Sequence, residues 1–147
     1  PEYALYARSH ITLVPQSFDE FLVPDATFQE NLSYAQLGEY PSAFCGAKKT
    51  ELPELAQAFH IPHSTPVSML SGGQRQILAI LMALERSTQL LLLDEPTATL
   101  DEQNARLVME FLTTVIKEQP VTILMICHDA SLYRYATGST IVIGKHE

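Results

Sequence analysis

Two uninterrupted apolar runs constrain the fold of this 147-residue chain more than any other feature. They are QLLLLD, Gln89–Asp94, and VTILMIC, Val121–Cys127. Neither run alternates polar with apolar side chains, so both are predicted to be parallel strands covered on both faces. The segment between them, Glu102–Gln119, repeats its apolar residues with a helical period. A strand, a helix and a strand of this length form a parallel crossover unit, which predicts an α/β fold.

The remaining apolar patterns predict further strands and helices around this unit. A short strand is expected at Ile11–Gln16, and a terminal one at Ser139–Lys145. Two helices are expected at Phe28–Leu37 and Glu51–Phe59. The helix predicted for Gly72–Arg86 carries apolar residues around nearly its whole circumference, which indicates a buried helix.

The sequence LSGGQRQ begins this buried helix and is the most specific motif of the chain. Ser71, Gly72 and Gly73 would present a hydroxyl, bare backbone N–H groups and the positive end of the helix dipole, which together suit a phosphate. Glycine leaves room for the anion to approach the backbone. The same residues also fit a plain helix cap with a glycine turn, so the motif alone leaves both interpretations open.

Two adjacent acids end the first apolar run, in the sequence LLLLDEP. Ligands of open parallel sheets lie at the carboxyl ends of the strands, where Asp94 and Glu95 are expected. Two neighbouring carboxylates repel each other unless a cation or a proton transfer uses them. Asp94 is therefore a candidate Mg²⁺ ligand and Glu95 a candidate general base, although the same residues could simply begin a loop.

A histidine and a glutamine are predicted to join these acids at the same edge of the sheet. His128 follows the second apolar run directly, and Gln16 ends the first predicted strand. A histidine after a buried strand is more often structural, and an exposed glutamine often has no role. The convergence of four such residues on one edge carries more weight than any one of them.

Composition excludes several classes of function. The 9 basic and 17 acidic residues give a net charge of −8. Binding to nucleic acid depends on clustered Lys and Arg, so no nucleic-acid partner is expected. No apolar run approaches the ~20 residues of a membrane helix, and the first residues do not resemble a signal peptide. A cytoplasmic location is therefore expected.

Taken together, these motifs resemble those of the ATP-binding-cassette (ABC) transporter ATPases. Gln16 resembles the Q-loop residue, LSGGQRQ the family signature, LLLLDE the Walker B strand, TATLD the D-loop, and His128 the switch histidine. Their order and spacing also agree, with 55 positions from Gln16 to Ser71 and 34 from Asp94 to His128. The resemblance implies a partial P-loop NTPase fold, a mostly parallel sheet flanked by helices, with a helical subdomain.

The resemblance further implies the role of each site residue. ATP and Mg²⁺ would be the cofactors, with Asp94 and Gln16 near the metal. Glu95 would be the general base, and Gln16 and His128 would act on the γ-phosphate and the attacking water. Nucleotide from a second, head-to-tail subunit would contact the signature motif, and the D-loop aspartate would lie at that dimer seam; these cofactor-binding residues are Ser71, Gly72, Gly73, Gln74 and Asp101.

The resemblance also implies a domain organisation and partners. Residues 17–69 correspond to the helical subdomain, whose cleft receives a helix of a transmembrane permease, and residues 1–16 and 70–147 to part of the catalytic core. Such an ATPase lies at the inner face of the cell membrane and powers solute transport.

One departure from the family pattern leaves alternatives open. No GxxxxGK[ST] loop occurs in the 147 residues. The chain is therefore expected to be the C-terminal portion of one ATPase domain, without the P-loop strand and the N-terminal β subdomain, and to be inactive alone. An inert interaction module and a non-transport ABC ATPase are the alternatives to a transport ATPase.

Overall fold

The computed structural model describes residues 10–36, 54–86 and 88–141, with the side chains of Gln36 and Glu54 left out. Within these ranges a parallel sheet is surrounded by α-helices and short 3₁₀ helices. The strands are β1 (Ile11–Val14), β2 (Leu90–Asp94) and β3 (Thr122–Ile126). The α-helices are α1 (Phe28–Gln36), α2 (Glu54–Ala58), α3 (Gly72–Glu85) and α4 (Glu102–Glu118), and the 3₁₀ helices are Asp19–Phe21, Val67–Met69 and Ala130–Tyr135.

The sheet has the order β1-β2-β3, and both pairings are parallel. In its register Leu91 lies between Thr12 of β1 and Ile123 of β3. Helix α4 connects β2 to β3, as the apolar runs predicted. Because all three strands run in the same direction, their carboxyl ends meet at one edge of the sheet.

Helix α3 lies at the centre of the core. Ile77, Leu78 and Ile80 are all 0% exposed, and the helix packs against α1 and β1. The prediction of a helix buried around nearly its whole circumference is therefore confirmed. Because α3 begins within the LSGGQRQ motif, this motif is joined directly to a helix at the centre of the core.

Only one face of the sheet is covered by the described elements. Leu91 and Leu93 are at most 2% exposed, whereas on the opposite face Leu13 is 53%, Leu124 62% and Ile126 59% exposed. The prediction that both apolar runs are covered on both faces is therefore wrong within the described residues. The lack of alternation in the two apolar runs indicates that both faces of the sheet are apolar. It does not indicate that helices of this chain cover both faces.

The segment between β1 and α3 is held by a buried amide and by a helix cap. Asn31, 0% exposed, accepts the backbone N–H of Val23 at 2.8 Å and donates to the carbonyl of Thr27 at 3.0 Å. At the start of α1, the backbone N–H and then the hydroxyl of Thr27 hold the pKa of Glu30 below its ordinary value. The apolar side chains of the same segment belong to the hydrophobic core that the sheet also lines.

Some predictions fall on residues outside the described ranges. The helix predicted from residue 51 is described only from Glu54, and residue 37 of the first predicted helix is not described. Residues 139–141 of the predicted terminal strand are not in a strand, and residues 142–145 lie outside the described ranges. The boundaries of the helical subdomain, 17–69, stay a prediction. No helix in the described part of the chain is long and apolar enough to cross a membrane.

Candidate functional site

The carboxylate of Glu95 lies between two polar side chains at the carboxyl edge of the sheet. The amide Nε2 of Gln16 donates to one carboxylate oxygen at 3.3 Å, and Nε2 of His128 lies 2.7 Å from the other. Gln16 follows β1, Glu95 follows β2 and His128 follows β3, so strand order alone brings the three together. The structure thus joins three of the residues that the sequence predicted at this edge.

The backbone of Glu95 adopts a left-handed conformation with φ of 49°. Its N–H donates to the carbonyl of Ile126 at 3.0 Å, and its own carbonyl accepts the N–H of Ala98 at 3.1 Å. Such a conformation costs a non-glycine residue on the order of 1–3 kcal/mol, and residues of this kind cluster at functional sites. The turn ends the alternation of side chains along β2, and the Glu95 carboxylate lies between Gln16 and His128.

Asp94 is the last residue of β2 and is half-buried. Its side chain has no hydrogen-bond partner among the described residues, and no group of three or more His, Cys, Asp or Glu side chains within them forms a metal site. Mg²⁺ commonly takes only one or two carboxylates and fills its remaining positions with phosphate oxygens and water. The Asp94 carboxylate and the amide oxygen of Gln16 are oxygen donors of the kind that Mg²⁺ takes, and their role as its ligands stays a prediction.

A cavity of about 500 Å³ opens beside this edge. We call it the edge cavity; it is lined by Glu95, His128 and the residues after β2, and by Asp129 and Ser131. The hydroxyl and then the backbone N–H of Ser131 hold the pKa of Asp129 below its ordinary value. This carboxylate caps the 3₁₀ helix that follows His128, so the loop carrying the imidazole is anchored at its next residue.

The tip of α3 confirms the helix-cap interpretation of the LSGGQRQ motif, and its phosphate-binding interpretation stays a prediction. The hydroxyl of Ser71 accepts the N–H of Gln74 at 3.2 Å, and the side chain of Gln74 accepts the N–H of Ser71 at 3.1 Å, which is a capping box. These two side chains therefore cap the helix. The N–H groups of Gly72 and Gly73, in the first turn, have no carbonyl of the helix to bind.

The two glycines at this tip serve different purposes. A Cβ added to Gly72 would meet nothing within 4 Å, whereas one added to Gly73 would lie 2.6 Å from Cδ2 of Leu100. The space beside Gly72 is therefore open, whereas Leu100 fills the space beside Gly73. Gly73 allows the chain after β2 to pack against the helix.

A second cavity, of about 420 Å³, lies in front of this tip. We call it the tip cavity; its walls include His60, Ser71–Gln74, Leu100, Asp101 and Asn104. Asp101 caps α4 by accepting the backbone and side-chain N–H groups of Asn104, each at 2.9 Å. Leu100 lines the edge cavity as well, so the stretch Thr97–Leu100 separates the two cavities.

Sequence reasoning missed one residue at this site. Gln76 is 1% exposed, donates from Nε2 to the carbonyl of Glu95 at 3.1 Å, and accepts the hydroxyl of Thr99 at its Oε1. The available signal was an amide within a helix that is otherwise buried and apolar, since a buried amide must find hydrogen-bond partners.

Comparison with known proteins indicates the family of this chain. The family model described as ABC transporter matches residues 4–98. The ABC transporter ATP-binding protein YtrE of Bacillus subtilis is 32% identical over 139 residues, which is 87% of this chain and 54% of YtrE. The iron(3+)-hydroxamate import ATP-binding protein FhuC of the same organism is 52% identical over 64 residues, 44% of this chain and 24% of FhuC.

A solved structure shares the fold as well. The dimeric ATP-binding cassette MJ0796 of Methanocaldococcus jannaschii, bound to ADP and Pi, superposes with a TM-score of 0.71 at 27% identity. The match covers 91% of this chain and 59% of the cassette, so the chain spans less than two thirds of the length of the relatives it matches. The fold of this chain is that of part of a P-loop NTPase. The chain belongs to the ABC transporter family and carries part of an ABC ATPase domain.

Proposed function

We propose that this chain contributes the catalytic edge and the signature helix of an ATPase subunit that powers an ABC-type membrane transporter. ATP would be hydrolysed in a composite site made by two such subunits arranged head to tail. The observation that carries the proposal is the Glu95 carboxylate, contacted by Gln16 at 3.3 Å and by His128 at 2.7 Å. A carboxylate held between an amide and an imidazole is oriented to accept a proton from water.

Each residue at the edge has a distinct task in this proposal. Asp94 and the amide oxygen of Gln16 would hold Mg²⁺, which neutralises charge on the phosphates when bound. Glu95 accepts the proton of the attacking water on a carboxylate oxygen. Gln16 and His128 fix the direction of that carboxylate, and the exposed imidazole, with 83% of its side chain accessible, reaches the γ-phosphate and holds the water in line.

The tip of α3 serves the nucleotide of the other subunit. The free N–H groups of Gly72 and Gly73 and the dipole of a 14-residue helix favour an anion at this point. The tip cavity supplies the space, and Ser71, Gln74 and Asp101 lie on its walls. The MJ0796 cassette, which shares the fold, was solved as a dimer with ADP and Pi, and this supports a paired arrangement.

Exposed apolar side chains near β1 and α3 support a membrane partner at the cytoplasmic face. Phe21 is 58%, Val23 45% and Met69 76% exposed. Their segments are adjacent, because the N–H of Ser68 donates to the carbonyl of Pro24 at 2.9 Å. We place the permease contact on this patch of three residues. Phe18, in contrast, is 5% exposed and belongs to the core.

The test introduces Glu95→Gln into the natural protein and measures ATP hydrolysis, ATP binding and dimerisation. The amide keeps the shape of the side chain but does not accept a proton, so ATP hydrolysis should fall by at least about 100-fold. ATP binding should persist, and size-exclusion chromatography with ATP should find a stable dimer. Parental hydrolysis in this variant would refute the role of Glu95, whereas a parental protein that does not hydrolyse ATP would favour an inert module.

A further inference from the structure

Gln76 is one of three polar residues that are buried within the described part of the chain. Both ends of its amide are satisfied, by the carbonyl of Glu95 and by the hydroxyl of Thr99. A buried amide with two specific partners holds those partners in a fixed relation, because breaking either bond leaves a polar group without water. Its partners here are the backbone of the proposed general base and the loop between the two cavities.

The turn at Glu95 needs such support. A left-handed backbone at a non-glycine residue persists only where the surroundings determine it from several sides. The peptide groups of Glu95 are held by Ile126 of β3, by Ala98 of its own turn and by Gln76 of α3. Of these three contacts, only the one from Gln76 comes from a side chain, so it is the one that a substitution can remove.

The contact between Gln76 and Glu95 also joins the signature helix to the proposed catalytic edge. Gln76 lies five residues after Ser71 on one continuous helix, which is a distance of ~7.5 Å along its axis. Most of the helix is buried, and closely packed interiors transmit strain. A shift of its tip is thus transmitted to the carbonyl of Glu95 by a single hydrogen bond.

We propose that Gln76 is a positioning residue: its amide fixes the turn that directs the Glu95 carboxylate and makes this direction depend on the position of the signature helix. Gln76 does not touch substrate and acts only through Glu95 and Thr99. The inference rests on the proposed function, because it assumes that Glu95 is the general base.

The experiment uses Gln76→Met in the natural protein, since methionine has a similar volume but makes neither hydrogen bond. We expect kcat for ATP hydrolysis to fall by about 10- to 100-fold, because small misplacements of catalytic groups have costs of this size. KM for ATP should stay close to the parental value, and ATP-driven dimerisation in a Glu95→Gln background should persist. A KM that rises as much as kcat falls would overturn the proposal.

Thr99 offers a second test in which the substituted residue is exposed and lies outside the core. Thr99→Val removes the hydroxyl that holds the Gln76 amide, and it should lower kcat less than Gln76→Met. Thr99→Ser keeps the hydroxyl and should restore the parental kcat. The double variant Gln76→Met with Thr99→Val should be no slower than Gln76→Met alone, because both changes break one chain of contacts. If the losses of kcat in the two single variants multiply in the double variant, Gln76 and Thr99 do not act through the same contacts.

Asn31→Leu is the matched control. Asn31 is also a fully buried amide, but its bonds go to the backbone at Val23 and Thr27, outside the site. The variant should lower thermal stability while kcat per folded molecule stays parental. An equal loss of kcat in Asn31→Leu and Gln76→Met would overturn the positioning role.

The result for Glu95→Gln separates the two proposals. If Glu95→Gln abolishes turnover while Gln76→Met keeps the parental kcat, the positioning role is wrong and the proposed function stands. If Glu95→Gln retains parental turnover, both proposals fall.

Discussion

At the scale of single residues, the tip of α3 assigns the helix cap and the proposed anion site to different residues. Ser71 and Gln74 bind each other and complete the helix cap, whereas Gly72 has open space where a side chain would begin. The proposed anion site therefore depends on backbone N–H groups more than on the serine hydroxyl. This distinction leads to a substitution that should remove function and preserve the fold.

We predict that Gly72→Asp prevents ATP-driven dimerisation without destabilising the protein. A carboxylate at this position would occupy the space for the phosphate and repel it, while an acid in the first turn of a helix adds about 0.3–1 kcal/mol of stability through the helix dipole. Size-exclusion chromatography with ATP and urea unfolding measure the two effects. Gly72→Ala is the control for the loss of glycine, and dimerisation by Gly72→Asp at the parental ATP concentration would contradict the prediction.

At the scale of elements, α4 is fixed at its start by Asp101. The carboxylate accepts two N–H groups of Asn104, so the residue predicted at a dimer seam also has a structural role inside its own chain. Any effect of Asp101 substitutions on dimers must therefore be separated from an effect on this helix.

We predict that Asp101→Ala lowers the free energy of unfolding by about 1 kcal/mol, whereas Asp101→Asn, an equally good N-cap, lowers it much less. Urea unfolding followed by circular dichroism gives both values. Equal losses in the two variants would mean that the charge, and not the cap, stabilises α4. The Asn variant is then the proper choice for testing the dimer seam, because it leaves the helix intact.

At the scale of the whole molecule, the sheet presents an apolar face that no described element covers. Leu13, Leu124 and Ile126 are each more than half exposed on this face. Contiguous exposed apolar surface of this kind binds hydrophobic dyes and promotes association. The opposite face, with Leu91 and Leu93, supplies the core.

We predict that Leu13→Thr combined with Leu124→Thr reduces the fluorescence of a bound naphthalene sulfonate dye without loss of stability, because threonine keeps a high strand propensity. Val14→Thr, which places a hydroxyl on the covered face, should instead lower the free energy of unfolding by about 1–3 kcal/mol. Dye fluorescence that stays at the parental level in the double variant would show that this face is not accessible in solution.

The sequence was most informative where local pattern and connectivity coincide. The apolar runs before Glu95 and His128 predicted parallel strands, and parallel strands must end at a common edge, so the convergence of these residues with Gln16 could be predicted. The exposure of Leu124 could not be predicted, because an apolar side chain favours burial but does not specify which element covers it. The role of Gln76 was hidden for a similar reason: its partner, the carbonyl of Glu95, is distant in sequence and belongs to the backbone.

Leu100 lines both the edge cavity and the tip cavity. If a ligand in one cavity displaces Leu100, the volume of the other cavity also changes. Linkage between two binding sites is reciprocal, so whatever factor the first occupant imposes on the affinity of the second, the second imposes on the first. Two inhibitors directed at the opposite sides of Leu100 should therefore help or hinder each other to the same extent, whichever is added first.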